Sequence, residues 1–390
     1  MRLLFIAILH SPHTARWISQ IADLGWDIHI FGHDEQVHPM LVNVTIHRAR
    51  PVRKRWPFKR GEYRLRRIPY VRDILFPSVS TEIAALIRQL QPDCIHSLMF
   101  AGEVLEAKRL LGDKLSCKWI YSSWGSDVFF ENHMPQRREY LKRIFASVDY
   151  YISDCQRDVE IARSCGFKGE VLGVFPVTGA YQLSQMLQYR STMPPSQRNI
   201  VTFKGYQNFA GKALTTLEAI QLAADSLKPY QVVIHSAVGT WASERFEEVK
   251  AQADKVALSE GLNISFMPYS PVEAMWELFG RSRMSIAISA SDGTPNTMLE
   301  SMVMGAFPIQ SDTSAASEWI DDGVNGAIVP HDDPKAVAQA IRRAVTENAL
   351  VDRAAEINLR LAEKRLDTSV IVPQVHAMYN RVFAEARKSK

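Results

Sequence analysis

Residues 284–309 read MSIAISASDGTPNTMLESMVMGAFPI. An apolar strand, 284–288, runs into the small residues Ser289, Ala290 and Ser291 and then into Asp292 and Gly293. Thr294 and Pro295 follow as a predicted N-cap and first helical position: a threonine hydroxyl accepts a backbone N–H at a helix start, and proline's fixed φ suits the first turn. A second apolar run, 306–310, comes after the helix. Strand, loop, helix and strand in this order define a unit of a parallel α/β sheet.

The same alternation extends in both directions. Short apolar runs at 3–9, 26–31, 94–99, 119–122 and 150–153 are separated by helix-period stretches such as 15–24. Apolar runs of this length mark strands buried on both faces, as in doubly wound sheets. A second series begins at Asn199, with runs at 200–203, 231–235, 264–267, 285–289, 306–310 and 326–329 and a helix expected over 213–227. Residues 176–198 hold Pro176, Pro194 and Pro195 without a strong period and are read as the linker. The expected division is 1–175, linker 176–198, 199–370, and a C-terminal helix over 371–390 that packs back on the N-terminal domain. The two α/β domains are expected to face each other across a cleft.

A length of 390 residues suits two domains, and 46% hydrophobic against 23% charged residues is ordinary globular composition. Subtracting 42 Asp and Glu from 46 Lys and Arg leaves +4, too mild for a chain-wide nucleic-acid footprint. Cys94, Cys117, Cys155 and Cys165 contain no C-x-x-C pair, which fits a reducing cytosol. No run approaches the roughly 20 apolar residues of a membrane span. Charge is concentrated locally. Residues 48–72 hold 11 Lys or Arg against Glu62 alone, interleaved with Trp56, Phe58, Tyr63 and Tyr70. Such an insertion is either a solvated face or an amphipathic patch for anionic lipid, at the inner face of a membrane, or for a phosphate-bearing acceptor; RNA ranks third, because no recognition-module motif accompanies it.

The 284–309 segment carries the chemistry. N–H groups at its helix start, with the helix dipole, suit a diphosphate or sugar hydroxyls without a metal. Asp292 in the loop and Glu300 within the helix are two carboxylates able to bracket a polyol, because a carboxylate accepts hydrogen bonds from vicinal hydroxyls. Read alone, the pair is more often a helix-capping Asp292 and a surface Glu300 than a ligand clamp.

The segment resembles the hallmark of the retaining family 4 glycosyltransferases of GT-B fold, the group 1 glycosyl transferases. Asp292-Gly293-Thr294-Pro295-Asn296, Leu299-Glu300-Ser301-Met302, Gly305 and Pro308 follow its acid-x7-acid pattern, and residues 317–329 resemble its downstream E-x-x-x-D-G-x-x-G ending. The resemblance implies that Glu300 holds a ribose and Asp292 a donor sugar. The Gly293, Thr294, Pro295 and Asn296 backbone would take sugar and phosphate oxygens. The family's basic pair falls in residues 203–212, where Lys212 matches the lysine but Tyr206 stands near the arginine's position, leaving Lys204, with Gly205 beside it, as a substitute cation. Tyr269 is a further candidate for the donor pocket.

On the N-terminal side the family's Gly-Gly loop is absent, and His13, Thr14 and Arg16 at a helix start are candidates for the acceptor or the donor phosphate. Trp124, where the resemblance expects a histidine, and Asp127 complete the acceptor-side set. His96 reads as a core or rim histidine. Asp321, Asp322, Asp332 and Asp333 read as turn acids, so no metal site and no cofactor are expected.

The implied reaction moves a sugar from a nucleoside diphosphate sugar to a glycan or lipid-linked acceptor with retention. Two alternatives stay open: a GT-B nucleotide-sugar epimerase and a non-catalytic sugar-binding protein. A dinucleotide-dependent oxidoreductase is disfavoured by the absence of glycine after the first strand, and a P-loop enzyme by the absence of its motif.

Overall fold

The computed structural model describes residues 1–49, 78–112, 117–236 and 243–388. The chain divides into two compact units. One comprises Met1–Asp154, Asp158–Ala180 and Ile371–Lys390; the other comprises Cys155–Arg157 and Tyr181–Val370.

The first unit is built on a seven-stranded parallel sheet: β1 (Arg2–Ile6), β2 (Asp27–Gly32), β3 (Thr45–Arg48), β4 (Cys94–Leu98), β5 (Lys118–Ser122), β6 (Tyr150–Ser153) and β7 (Glu170–Val174). Their order is β3-β2-β1-β4-β5-β6-β7. Alternate residues of each strand enter different cores, as a sheet covered on both faces requires. Leu4, Ile6, Ile95, Trp119 and Tyr121 pack with Ile83, Leu86 and Val104. Leu3, Phe5, Ile30 and Ile120 pack on the other face with Trp17 and with Ile371, Val375, Tyr379 and Phe383. Those last four lie on the final helix, Thr368–Lys388, which therefore packs back on the N-terminal domain.

The second unit holds β8 (Ile200–Lys204), a small hairpin of β9 (Gln207–Asn208) and β10 (Gly211–Lys212), then β11 (Gln231–His235), β12 (Asn263–Phe266), β13 (Ser282–Ala287), β14 (Phe307–Ser311) and β15 (Ala327–Val329). Its main sheet is six-stranded, in the order β12-β11-β8-β13-β14-β15, with every neighbouring pair parallel. The chain winds outward from β8 to β12 and then returns to the other side of β8 at β13. The strand order thus reverses between β8 and β13, where doubly wound sheets open a crevice beyond the carboxyl ends of their strands.

Several local expectations are corrected. The 213–227 helix is split into Ala213–Leu222 and Ala224–Leu227. The proline-bearing stretch 176–198 is partly built into the second unit, with Tyr181, Leu183 and Met186 packed beside Trp276, Phe279 and Met302. β3 and β7 carry no apolar-run signal in the sequence: as edge strands, with mostly half-buried or exposed residues, they lack a long apolar run. Of the basic insertion 48–72, all but Arg48 and Ala49 lies outside the described residues. Among the described residues no helix is long and apolar enough to cross a membrane.

Candidate active site

β8 ends at Lys204, and β13 leads through Ile288 into the loop that carries Asp292. Lys204 Nζ lies 3.4 Å from Asp292 Oδ2, with both side chains mostly buried. The same ammonium stands 4.8 Å from the centroid of the Tyr206 ring. A tyrosine thus occupies the region where the resemblance expects an arginine, and its π-face supports a lysine two residues earlier. A cation over an aromatic face is stabilised by the ring quadrupole. Beside them, His235 pairs with Lys204 in the sheet register. Burial, and secondarily the Lys204 charge, push its pKa down to about 3. The local positive charge therefore resides on the lysine.

The loop is fastened through its carbonyls. Ile288 O accepts from Lys212 N–H at 2.7 Å, Asp292 O from Arg157 Nη2 at 2.9 Å, and Gly293 O from Ala315 N–H at 2.9 Å. Ser289 O takes the Thr313 hydroxyl. Ala290 and Ser291 N–H both donate to Phe209 O, in the turn of the β9–β10 hairpin. Carbonyl oxygens repel an anion, and these four in the loop are held by the protein. The hairpin folds back closely on Tyr206 because Gly211 has no side chain: a Cβ there would come 2.3 Å from that of Tyr206.

Pro295, not Thr294, occupies the N-cap, and the helix is Asn296–Met304. The chain is already extended at Pro295, with φ −67° and ψ 124°, so helical geometry begins one residue later than the sequence predicts. The first N–H groups of this helix precede its intrahelical acceptors and suit anionic oxygens. Glu300 lies four residues after Asn296, on the same helix face, and is 8% exposed. Tyr181 donates its O–H to Asn296 Oδ1 at 2.7 Å.

Lys204, Asp292, Gly293, Thr294, Pro295 and Asn296 are therefore brought together, with Gly205 at the mouth of β8, where its N–H bonds to His235 O. Lys212 joins through its backbone and leads directly into the Ala213–Leu222 helix. Tyr269 stands 76% exposed in the loop after β12, and among the described residues no hydrogen bond or ring contact joins it to residues 288–296.

In the first unit, Ser11 caps the helix Pro12–Ser19 by accepting the His13 N–H, which positions His13 and Arg16 on the first turns beyond β1. The His13 ring meets Trp124 edge-on, with centroids 5.4 Å apart. Thr14, on the same helix, is fully buried. Asp127 Oδ1 takes the Trp124 N–H at 2.8 Å and its Oδ2 takes the Tyr121 O–H at 2.7 Å, so Asp127 builds the turn that presents the indole. Burial is the largest influence on this carboxyl and raises its pKa to about 7. His96 is enclosed between Tyr379 Oη at 2.6 Å and Ser122 Oγ at 2.7 Å, and burial pushes it down to about 3, as befits a core histidine.

The turn acids read from the sequence are turns. Asp322 bridges to Gly326, and the Asp333 side chain caps the helix Pro334–Thr346. Two contributors carried no sequence signal. Arg157 fixes the Asp292 and Thr313 carbonyls, and Tyr181 holds Asn296; neither belongs to a motif.

Residues 199–347 match the family model of glycosyl transferases group 1, and residues 2–155 match that of glycosyl transferase 4-like proteins. The chain belongs to the group 1 glycosyltransferases of GT-B fold, and it is a glycosyltransferase. Among solved structures it is similar to the sucrose-phosphate synthase of Thermosynechococcus elongatus, with a TM-score of 0.74, 14% identity, and 99% and 100% of the two chains covered. Anabaena HepE in complex with UDP and glucose gives a TM-score of 0.71 at 12% identity, covering 98% and 100%. A UDP-forming trehalose-phosphate synthase from Burkholderia xenovorans gives 0.66 at 14%, covering 98% and 99%. At these identities the likeness carries the fold. None of the curated proteins matches the sequence.

Proposed function

We propose that the second unit binds a nucleoside diphosphate sugar at the crevice between β8 and β13, and that the enzyme transfers the sugar with retention to a glycan or lipid-linked acceptor. The observation that carries this reading is the Lys204–Asp292 pair at 3.4 Å beside a helix N-terminus. A cation, a set of backbone N–H groups and a carboxylate, on a loop in which the Ile288, Ser289, Asp292 and Gly293 carbonyls are engaged, match a ligand that is a diphosphate at one end and a polyol at the other.

In this assignment Glu300 accepts the ribose hydroxyls, Asp292 the donor-sugar hydroxyls, and the backbone from Gly293 to Asn296 meets sugar and phosphate oxygens. Lys204, with Lys212 at the next helix start, neutralises the charge that develops on the leaving diphosphate, so that no metal is required. Fixed charges in a water-poor site are worth several kcal/mol at such a point. As the bond from the anomeric carbon to the phosphate oxygen breaks, the acceptor oxygen bonds to the same face of that carbon. Its proton passes to the departing phosphate oxygen. The protein then supplies position and electrostatics, and no side chain need trade protons. This agrees with Trp124 standing where a histidine is expected.

A uridine donor is the first to test, because the similar HepE is in complex with UDP and glucose and the similar trehalose-phosphate synthase is UDP-forming. His13, Arg16, Trp124 and Asp127 of the first unit are assigned to the acceptor, and the basic segment 48–72 to peripheral contact with an anionic membrane face on the cytoplasmic side. The test is to supply the purified chain with uridine, guanosine and adenosine diphosphate sugars and glycan or lipid-linked acceptors. Nucleoside diphosphate release and the anomeric configuration of the product are then followed by NMR. Release coupled to a retained product supports the proposal. An altered sugar without nucleotide release identifies an epimerase, and binding without turnover a sugar-binding protein.

A further inference from the structure

The far end of the motif helix, Asn296–Met304, is held by two arginines. Arg190 Nη1 donates to Val303 O at 2.6 Å and its Nη2 to Ala355 O at 3.2 Å. Arg198 Nη1 donates to Met304 O at 3.1 Å and to Ser282 O at 3.2 Å, and its Nε donates to Met193 O at 3.0 Å. Val303 and Met304 close the helix, so carbonyls that a helix leaves without an intrahelical partner are here taken by guanidinium groups. Arg198 is 4% exposed, and Arg190 is half-buried.

All of these acceptors are backbone carbonyls, and among the described residues neither guanidinium forms an ion pair. Burial, and then the neighbouring Arg190 charge, push the Arg198 pKa down to about 10 against the smaller pull of Asp352, which leaves it charged at neutral pH. Burial also lowers that of Arg190, with Glu363 opposing it. Two like charges set together in a protein interior are costly unless a carboxylate pairs with them. Fastening the helix end needs donors, which a neutral amide supplies as well; it does not need two positive charges.

The charges matter at the other end. A helix dipole puts partial positive charge at its first turn and partial negative charge at its last, and the negative end weakens the pull on an anion at the start. Two guanidinium ions on the last carbonyls reverse the sign of that far end. At about 1.5 Å per residue, the nine residues of this helix hold them about 13 Å behind its first turn. Buried charges are screened far less by salt than exposed ones, so their field persists over that distance. We infer that Arg190 and Arg198 are electrostatic residues for donor binding, which raise the positive potential at the helix start for a diphosphate that they do not touch. The inference rests on the reading of the crevice as the donor site, and it adds to that reading two charges at the opposite end of the helix.

The test is titration of Arg190→Gln, Arg198→Gln and Arg190→Lys with the nucleoside diphosphate sugar that the wild-type protein binds, and with the corresponding uncharged nucleoside, followed by NMR. Glutamine keeps a donor for the carbonyl and removes the charge. At about 13 Å and an effective dielectric constant of about 40–80, loss of one charge is expected to weaken the doubly charged donor about three- to tenfold. Nucleoside affinity is expected to stay within about twofold of wild type, because the uncharged ligand does not feel the field, and Arg190→Lys is expected to keep most of the donor affinity. Equal losses for donor and nucleoside, or a lysine variant as weak as the glutamine one, would overturn the inference, since that pattern belongs to a displaced helix. A lowered melting temperature with unchanged donor affinity would overturn it as well. Should Arg198→Gln fail to fold, the half-buried Arg190 carries the same prediction alone. Failure of the wild-type protein to bind any nucleoside diphosphate sugar would instead overturn the donor site itself.

Discussion

The ammonium of Lys204 is shared between the Asp292 carboxylate at 3.4 Å and the face of the Tyr206 ring at 4.8 Å. The carboxylate and the lysine come from strands that adjoin at the point where the sheet order reverses, so their meeting follows from topology and not from nearness in sequence. The aromatic face holds the cation at the crevice, near the position where the family pattern has an arginine.

Lys204 is therefore expected to matter most in turnover. Lys204→Ala should lower kcat/KM by about 100-fold or more, the loss seen when one fixed stabiliser of a developing anion is removed, while Lys204→Arg retains part of the rate. Tyr206→Leu should cost less, near the roughly 1 kcal/mol of a partly exposed cation–π contact. Steady-state release of nucleoside diphosphate checks all three. Equal rates for Lys204→Ala and the wild type would remove the lysine from the mechanism.

Glu300→Ala should weaken nucleotide binding about tenfold or more, because hydrogen bonds to a charged group are worth about 1.5–3 kcal/mol each. The fold should survive, since the side chain belongs to the proposed site and to none of the apolar cores. Calorimetric titration with the free nucleoside diphosphate measures the effect, and an unchanged Kd would contradict the ribose assignment.

Gly305 ends the motif helix at φ +86°, and a Cβ there would stand 3.1 Å from Arg190 Nη2. Arg190 in turn donates to Val303 O, within the last turn of the helix. Gly305→Ala should destabilise the protein by about 1–2 kcal/mol through the left-handed conformation alone. Denaturant unfolding should register this loss with little change in the donor Kd.

The buried histidines give stability a pH dependence of known sign. His96 and His235 are held near 3 in the folded protein, mainly by burial, against about 6.5 when unfolded. The unfolded chain binds more protons between these values. The stability from keeping these residues neutral is complete above about pH 6.5 and is lost as pH falls toward 3. Asp127 acts oppositely: raised to about 7 when folded, it favours the folded state at low pH and loses that advantage as pH rises from about 4 to 7. Chemical denaturation of His235→Leu across pH 4–7 should show a slope shallower by up to about 1.4 kcal/mol per unit, and Asp127→Asn a slope steeper by a similar limit. Identical slopes in variant and wild type would refute the assignment.

Much of this was legible in the sequence, and the reasons lie in particular residues. The apolar runs of β1, β4, β8 and β13 announce themselves because strands buried on both faces leave no room for polar alternation. β3 and β7, on the sheet edge, have no such run. Asp292, Glu300 and the glycine and proline between them are consecutive in one motif. Arg157 reaches that motif from residues 135 positions away, and Tyr181 from 115, by contacts that only the folded chain creates. Threonine followed by proline fits a cap, which predicts a helix start one residue too early, whereas the extended backbone at Pro295 delays helical geometry to Asn296.

Amide hydrogen exchange with and without a bound nucleoside diphosphate sugar examines the donor grip at its source. Donor binding should slow exchange at the backbone N–H groups of Gly293, Thr294, Asn296 and Thr297, and Glu300→Ala should abolish that protection at the same ligand concentration. Protection confined to other parts of the chain, with these four amides exchanging as before, would contradict the assignment of the sugar nucleotide to this helix tip.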